Sequence, residues 1–429
     1  MVETSIKAQN YKVQPIGGEG RRTLMIKFLK AFSGDGIRLF IQLFYFYLVA
    51  NTLTIGEFGL FATASSIGIV LSRLAGFGFL SPLYRIATVK PRLIGVYTAG
   101  YLAALALSLP LVAIIGWAVH TIFFANLMPL VVFVMIAGTE VLFWRTLEAV
   151  INVNKGLEKF GLASIVIVFG FSVKALAALY FALSSEPDLA SWALIYIISQ
   201  ALMAMIAIIL FYPRRKLRFV PKLYIRRIPD ALSVSGAEVL FYIQSELDKL
   251  VVLAIGGSVA AGLYSIIMRL VDLTAMPVRT FSTLLTQRLM RKPELMNSMR
   301  MRIGFEVGVF FVSVAAIACI ALALFIKPNL LGDNVAQIAP YMAIVLLVPA
   351  FRNLIEYQAE LLYGRGQSFQ RLLNYLVLGI LKAVLLVWLL STYNAPSQWM
   401  VWINAVFAAL YAVSLVLTYT SLKKPAIRV

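Results

Sequence analysis

Histidine and cysteine are almost absent from this 429-residue chain, which has one of each, His120 and Cys319. A single cysteine forms no internal disulfide, and in the middle of an apolar run it reads as a small packing residue. A single imidazole makes neither a metal site nor a catalytic dyad, and no Ser/His/Asp set can be assembled around it. Acid is scarce too, with 19 Asp and Glu against 38 Lys and Arg, and only 13% of the residues are charged. A GxxxxGK(S/T) loop is missing, so ATP hydrolysis by this chain is not expected.

Apolar sequence is what the chain has in excess. It is 61% hydrophobic, where soluble domains run at roughly 45 to 50%, and an aqueous core cannot account for the difference. About 20 apolar residues cross the hydrocarbon layer as a helix. Twelve runs of that kind are centred near Phe44, Ile69, Ala106, Val134, Phe171, Gln200, Ser245, Arg269, Ala315, Pro349, Gly379 and Leu410. The expected fold is an all-α integral membrane protein of about 12 transmembrane helices. Pro110 should kink the third run. Roughly 30 polar and basic residues precede the first run, so no cleavable signal is expected. Leu24 to Phe32 reads either as a short interfacial helix or as a basic flank.

The net charge of +19 suggests nucleic acid in a soluble protein, but its distribution gives another answer. Most Lys and Arg fall in the N-terminal tail, the even-numbered loops and the C-terminal tail. The largest cluster, Arg214, Arg215, Lys216, Arg218, Lys222, Arg226 and Arg227, lies at the centre of the chain. Lys327 is the one cation of the odd-numbered loops, against Glu57, Glu186, Asp188 and Asp333. By the positive-inside rule both termini and the central connection are expected on the cytoplasmic side. Anionic lipid headgroups, rather than nucleic acid, explain the excess.

The chain also repeats itself. The run SGAEVLFYIQSELDKLVVLAIGGSVAAGLYSIIMRLVDLTAMPVRTFSTLLTQR, from Ser235 to Arg288, has a weaker copy from Ser33 to Arg85, an offset of 202 residues at its start. Arg352 follows Arg145 by 207 residues, and Glu356, Gly364 and Lys382 follow Glu148, Gly156 and Lys174 by 208. Two six-helix bundles are implied, over residues 31–212 and 231–421, joined by a basic connection at 213–230. Tails at 1–30 and 422–429 complete the expected layout. Six crossings per half give both halves one orientation, so the pseudo-twofold axis should stand along the membrane normal. In transporters built this way the substrate site lies between the halves near the midplane.

Charges inside the runs are the candidate functional residues. Five pairs have helical spacing: Asp35 with Arg38, Arg145 with Glu148, Glu246 with Lys249, Arg269 with Asp272, and Arg352 with Glu356. Such neighbours share a helix face and can neutralise each other, which permits either helix-packing glue or a lumen role. Arg73, Lys174 and Lys382 have no acid within a turn. At roughly 3 kcal/mol each against lipid, they must face a cavity, a bound anion or an acid on another helix, with Glu140, Asp248 and Glu360 as available partners. Lys174 and Lys382 lie near mid-span and are assigned to a cavity; Arg279, near the boundary, is assigned to the interface as an anchor. Pro277 and Pro349 provide either bends for rocking or static kinks. A transporter with a cation-lined cavity and a membrane glycosyltransferase both fit at this point.

The stretch from Asp248 through Gly256, Gly257, Gly262, Tyr264 and Arg269, with its counterpart EFGLFATASS, Arg73 and Arg85, resembles the polysaccharide transporter family of the MATE-like (MOP) superfamily, which includes Wzx-type O-antigen and exopolysaccharide flippases. The resemblance covers nearly the whole chain through loose, mostly apolar motifs. It implies a non-enzymatic flippase that moves an undecaprenyl-diphosphate-linked oligosaccharide across a bacterial inner membrane by alternating access. It places Arg38, Arg73, Arg145, Lys174, Lys249, Arg269, Arg352 and Lys382 around a V-shaped cavity. Asp35, Glu140, Glu148, Glu246, Asp248, Asp272, Glu356 and Glu360 would balance charge or couple an ion. No cofactor is implied; the energy source is left open between a proton or sodium gradient and the membrane potential. The chain is expected to be a monomer, with a polymerase and export machinery as candidate partners. A multidrug antiporter of the same superfamily is the rival, and the sign of charge in the cavity separates the two.

Overall fold

The computed structural model describes the backbone of residues 21–291, 299–393 and 395–423; described side chains begin at Gly36 and leave out those at 37, 283, 284, 286–291 and 299. The described residues are helical nearly throughout. The first half comprises α1 (Arg21–Thr52), α2 (Ile55–Leu74), the short α3 (Leu80–Val89), α4 (Ile94–Phe123), α5 (Leu130–Gly138), α6 (Arg145–Gly156), α7 (Phe160–Ala182) and α8 (Leu189–Phe211). The second half comprises α9 (Pro221–Glu246), α10 (Asp248–Arg291), α11 (Met299–Ile326), the single turns α12 (Asp333–Ala336) and α13 (Ala339–Met342), α14 (Val348–Gly364), α15 (Ser368–Thr392) and α16 (Pro396–Leu422).

Nine helical stretches among the described residues are long and apolar enough to cross a membrane, and one of these, Pro221–Ser282, holds two crossings. The chain doubles back within it at Gly257, whose φ of 80° is open to glycine without a steric penalty. The proof is a hydrogen bond of 2.7 Å between Tyr264 and Asp248, 16 residues apart, which an unbroken helix would hold about 24 Å apart along its axis. With α1 and the broken segment Asp333–Gly364, the described residues supply twelve crossings. They form the two bundles of an all-α membrane protein.

Several local expectations change. From Arg21, the first described residue, α1 runs without a break into the first crossing, so Leu24 to Phe32 is part of that helix rather than a separate element, and its side chains lie outside the described residues. Cys319 is exposed on the surface of α11 and does not pack inside. His120 is a packing residue: its Nε2 lies 3.0 Å from the Met128 carbonyl and its ring 5.5 Å from that of Phe133. The second crossing ends in a sharp break over Ala75–Gly78 that releases α3, an element the apolar periodicity does not announce.

The lobes meet along α2 and α10. Gly59 and Gly262 lie at the crossing, and a methyl group on Gly262 would run into the Ile55 carbonyl. Beside it, the Asn334 side-chain amide donates to the carbonyls of Ala50 and Leu53 at 2.7 Å each, and Asn51 donates to Leu331 at 2.7 Å. This closes the gap between lobes at the end of the molecule that holds the 51–57 turn, the far end. At the opposite, basic end, α9 is shared. Its Tyr224 and Ala231 sit in one core with Phe79, Leu83, Tyr97 and Tyr101 of the first lobe, and Ser235 donates to the Arg73 carbonyl at 2.7 Å. Its other end packs on α15 of the second lobe, Phe241 against Tyr375 at 5.3 Å.

Candidate functional site in the interlobe cavity

Between the lobes lies a cavity of about 260 Å³, bounded by α1, α2, α7 and α8 on one side and by the end of α9 and the returning arm of α10 on the other. Three cations, Lys174, Lys249 and Arg269, and three acids, Glu140, Glu246 and Asp272, line it. The lining is therefore balanced and not, as the sequence suggests, cation-rich. What distinguishes the six is how each is engaged.

Glu140 stands in a π-helical turn, Thr139–Trp144, that interrupts the fourth crossing; such turns re-aim side chains and recur at functional sites. Its Oε1 accepts from Ser65 at 3.0 Å and from the Tyr196 hydroxyl at 2.5 Å. Lys174 donates to the same Tyr196 oxygen at 3.0 Å, lies 4.0 Å from Glu140 and sits 4.5 Å over the Trp144 ring. Glu246 holds Lys249 at 2.6 Å, and Ser66 of the first lobe bridges both, donating to Glu246 at 3.0 Å and accepting from Lys249 at 2.9 Å. Asp272 turns away from Arg269, one helical turn before it, and pairs with Arg352 at 2.8 Å. Every cavity acid thus already holds a cation. The Arg269 guanidinium makes no ion pair or hydrogen bond among the described residues, although this half-buried residue lines the cavity.

The remaining candidates form other networks. Arg73 grips Glu148 with two hydrogen bonds of 2.9 Å, and Arg145 bonds the same carboxylate at 2.9 Å. Glu238 of α9 approaches both arginines, at 3.9 and 3.4 Å. Arg145 is 1% exposed, a depth at which an arginine persists only with such partners. The second lobe repeats the motif: Arg279 bonds Glu356 at 2.8 Å. Arg279 is therefore a partner in a cross-helix pair and not a simple interfacial anchor, and Arg352 turns to Asp272 instead of Glu356. Arg38 lies 5.0 Å over the Phe171 ring, and Asp35 lies outside the described side chains. Glu360 pairs with Arg371 at 2.8 Å.

Lys382 departs furthest from expectation. It is 5% exposed, sits 2.5 Å from Asp248, and borders a pocket of about 40 Å³ inside the second lobe, apart from the interlobe cavity. Its repeat mate Lys174 borders the cavity but is also matched to an acid. Each lysine meets a carboxylate that also accepts from a tyrosine, Tyr196 on Glu140 and Tyr264 on Asp248. The acids sit at unrelated places in the repeat, in the fourth crossing and in the seventh. Trp144, Tyr196, Ser65 and Glu238 carry no spacing signal, because their roles depend on contacts between helices. Among the described residues no group of three His, Cys, Asp or Glu could hold a metal ion.

No family model matches the sequence and no curated protein matches it. Solved structures do. An inward-facing multidrug resistance MATE family transporter of the MOP superfamily is 15% identical and superposes with a TM-score of 0.63 over 89% of this chain and 94% of its own. An outward-facing form of such a transporter is 14% identical, with a TM-score of 0.56 over 91% and 93%. A MOP superfamily transporter from Pyrococcus furiosus, described as having a binding pocket of reverse polarity, is 15% identical, with a TM-score of 0.53 over 90% and 98%. The chain has the fold of MATE-like membrane transporters.

Proposed function

We propose that this chain is a flippase carrying an undecaprenyl-diphosphate-linked oligosaccharide, an O-antigen, capsule or exopolysaccharide repeat unit, across a bacterial inner membrane. The basic end faces the cytoplasm, and the conformation described is the one shut at the far end. Arg269 carries the proposal. In a cavity where each acid is already matched, its guanidinium is the positive group left to meet a phosphate, which it does with paired hydrogen bonds. Matched pairs around it set a polar floor without adding enough charge to trap the anion. At about 260 Å³ the cavity accepts a diphosphate but not a string of sugars, so the lobes part further at the basic end when the headgroup enters. The prenyl tail stays in lipid throughout, and no chemical step is required of the protein.

A second reading, drug antiport coupled to protons or sodium ions, draws on Glu140 at the cavity wall and on the multidrug transporters among the fold neighbours. Reconstitution separates the two. Proteoliposomes of the wild-type chain should move the lipid-linked oligosaccharide between leaflets, with a rate that changes or holds as proton gradient, sodium gradient and membrane potential are imposed in turn. Arg269→Gln should weaken substrate binding about 10- to 100-fold, the worth of one charge-assisted hydrogen-bonding group, while stability moves by under about 1 kcal/mol because no partner is stranded. Wild-type transport by Arg269→Gln, or drug-driven proton or sodium exchange without lipid movement, would overturn the assignment.

A further inference from the structure

A second cleft, of about 250 Å³, lies at the basic end, away from the interlobe cavity, between α3, the start of α4 and the start of α9. Three cations border it, Arg85, Lys90 and Arg227, against one acid, Asp230. Asp230 is committed to Arg85 at 2.7 Å. The side chains of Lys90 and Arg227 form no ion pair or hydrogen bond among the described residues, and both residues are exposed. The wall behind them is apolar, with Ile86, Val89 and Tyr97. At its mouth Val89 stands in the open, 72% exposed. An open apolar side chain beside unpaired cations suits the level where lipid headgroups meet acyl chains.

We propose that this cleft binds the phosphate of an anionic membrane lipid, with Lys90 and Arg227 holding the phosphate and the Ile86, Val89 and Tyr97 wall receiving the first part of the acyl chains. α3 and α4 belong to the first lobe, while α9 runs on into the second. A lipid seated here holds the base of α9 against the first lobe, so lipid charge tunes the joint on which lobe motion turns. The site is independent of what the central cavity carries.

The test is the melting temperature of the full chain in detergent as dioleoylphosphatidylglycerol, dioleoylphosphatidylcholine or inorganic phosphate is added. Phosphatidylglycerol should raise it and phosphatidylcholine should not. The double variant Lys90→Gln/Arg227→Gln should melt as the wild type does without lipid, but need on the order of 30-fold more phosphatidylglycerol, the worth of two basic residues beside an anionic surface. Lys155→Gln/Lys159→Gln removes equal charge outside the cleft, beside Gly156, which packs on α3 at the same end of the molecule, and should keep the wild-type response. Should the double variant not fold, Val89→Asp places an acid at the exposed mouth and should lose the response in its stead. No response in the wild type, equal loss in the Lys155/Lys159 control, or the full response to inorganic phosphate alone would overturn the proposal.

Discussion

Replacing Lys382 with methionine tests whether its pair with Asp248 is a dry structural bond. The side chains are 6% and 4% exposed and 2.5 Å apart. With an effective dielectric near 20, their attraction is about 7 kcal/mol, most of it offset by the loss of hydration. Removing the lysine alone strands a buried carboxylate, which costs about 3 to 5 kcal/mol. Asp248 keeps the Tyr264 hydroxyl at 2.7 Å and the Lys249 amide at 2.9 Å, so the lower figure is expected. The double variant Lys382→Met/Asp248→Asn removes both charges and should recover to within about 1 kcal/mol of wild type, roughly 2 kcal/mol better than Lys382→Met alone. Detergent-solubilised protein unfolded by heat or by SDS reads these differences directly. If Lys382→Met is as stable as wild type, water reaches the pair and the reasoning fails. Transport by the double variant adds a second reading: a stable but inactive protein gives the Lys382–Asp248 pair a part in transport, and a stable, active one assigns the pair to architecture.

Other outcomes follow from the same geometry. Asn334→Ala removes two hydrogen bonds that close the far end and should shift the lobes toward opening there by about 1 to 3 kcal/mol; in a Cys319→Ala background, faster labelling of Val49→Cys by an impermeant reagent from that side would report it, and unchanged labelling would count against the latch. Gly262→Val drives a side chain into the Ile55 backbone and should lower stability by 1 to 3 kcal/mol or more, whereas Gly304→Val, with open space around it, should be near neutral; equal effects would dismiss the α2–α10 contact as a tight one. Asp188 caps α8, and its hydrogen bonding with Ser191, whose amide donates to the carboxylate at 2.8 Å, holds the carboxyl below the ordinary range. Its contribution is therefore complete above that range and lost as pH falls through the lowered value, so the wild type should lose more stability than Asp188→Asn between pH 5 and pH 2.

The fold was legible because span length and apolar content are local properties, and because the repeat of Arg145, Glu148 and Lys174 in Arg352, Glu356 and Lys382 survives as plain spacing. Arg145 with Glu148 and Glu246 with Lys249 also form as neighbour rules suggest. The same rules mislead for Arg269 with Asp272 and for Arg352 with Glu356, where an arginine from another helix offers a better partner. Nothing in a one-dimensional reading ranks a cross-helix arginine above one a turn away. Tyr196 and Trp144 show the other gap: aromatic residues in an apolar run look like packing until a lysine and a glutamate arrive between them.

The way α9 is divided between the lobes bears on how such a protein arose. By chain position α9 opens the second copy of the repeat, yet its first stretch completes the core of the first. The genetic seam and the mechanical seam are out of step by half a helix. A single ancestral half, made alone, would have displayed a greasy socket for that stretch and carried the matching plug, so two copies would have had to trade segments to fold.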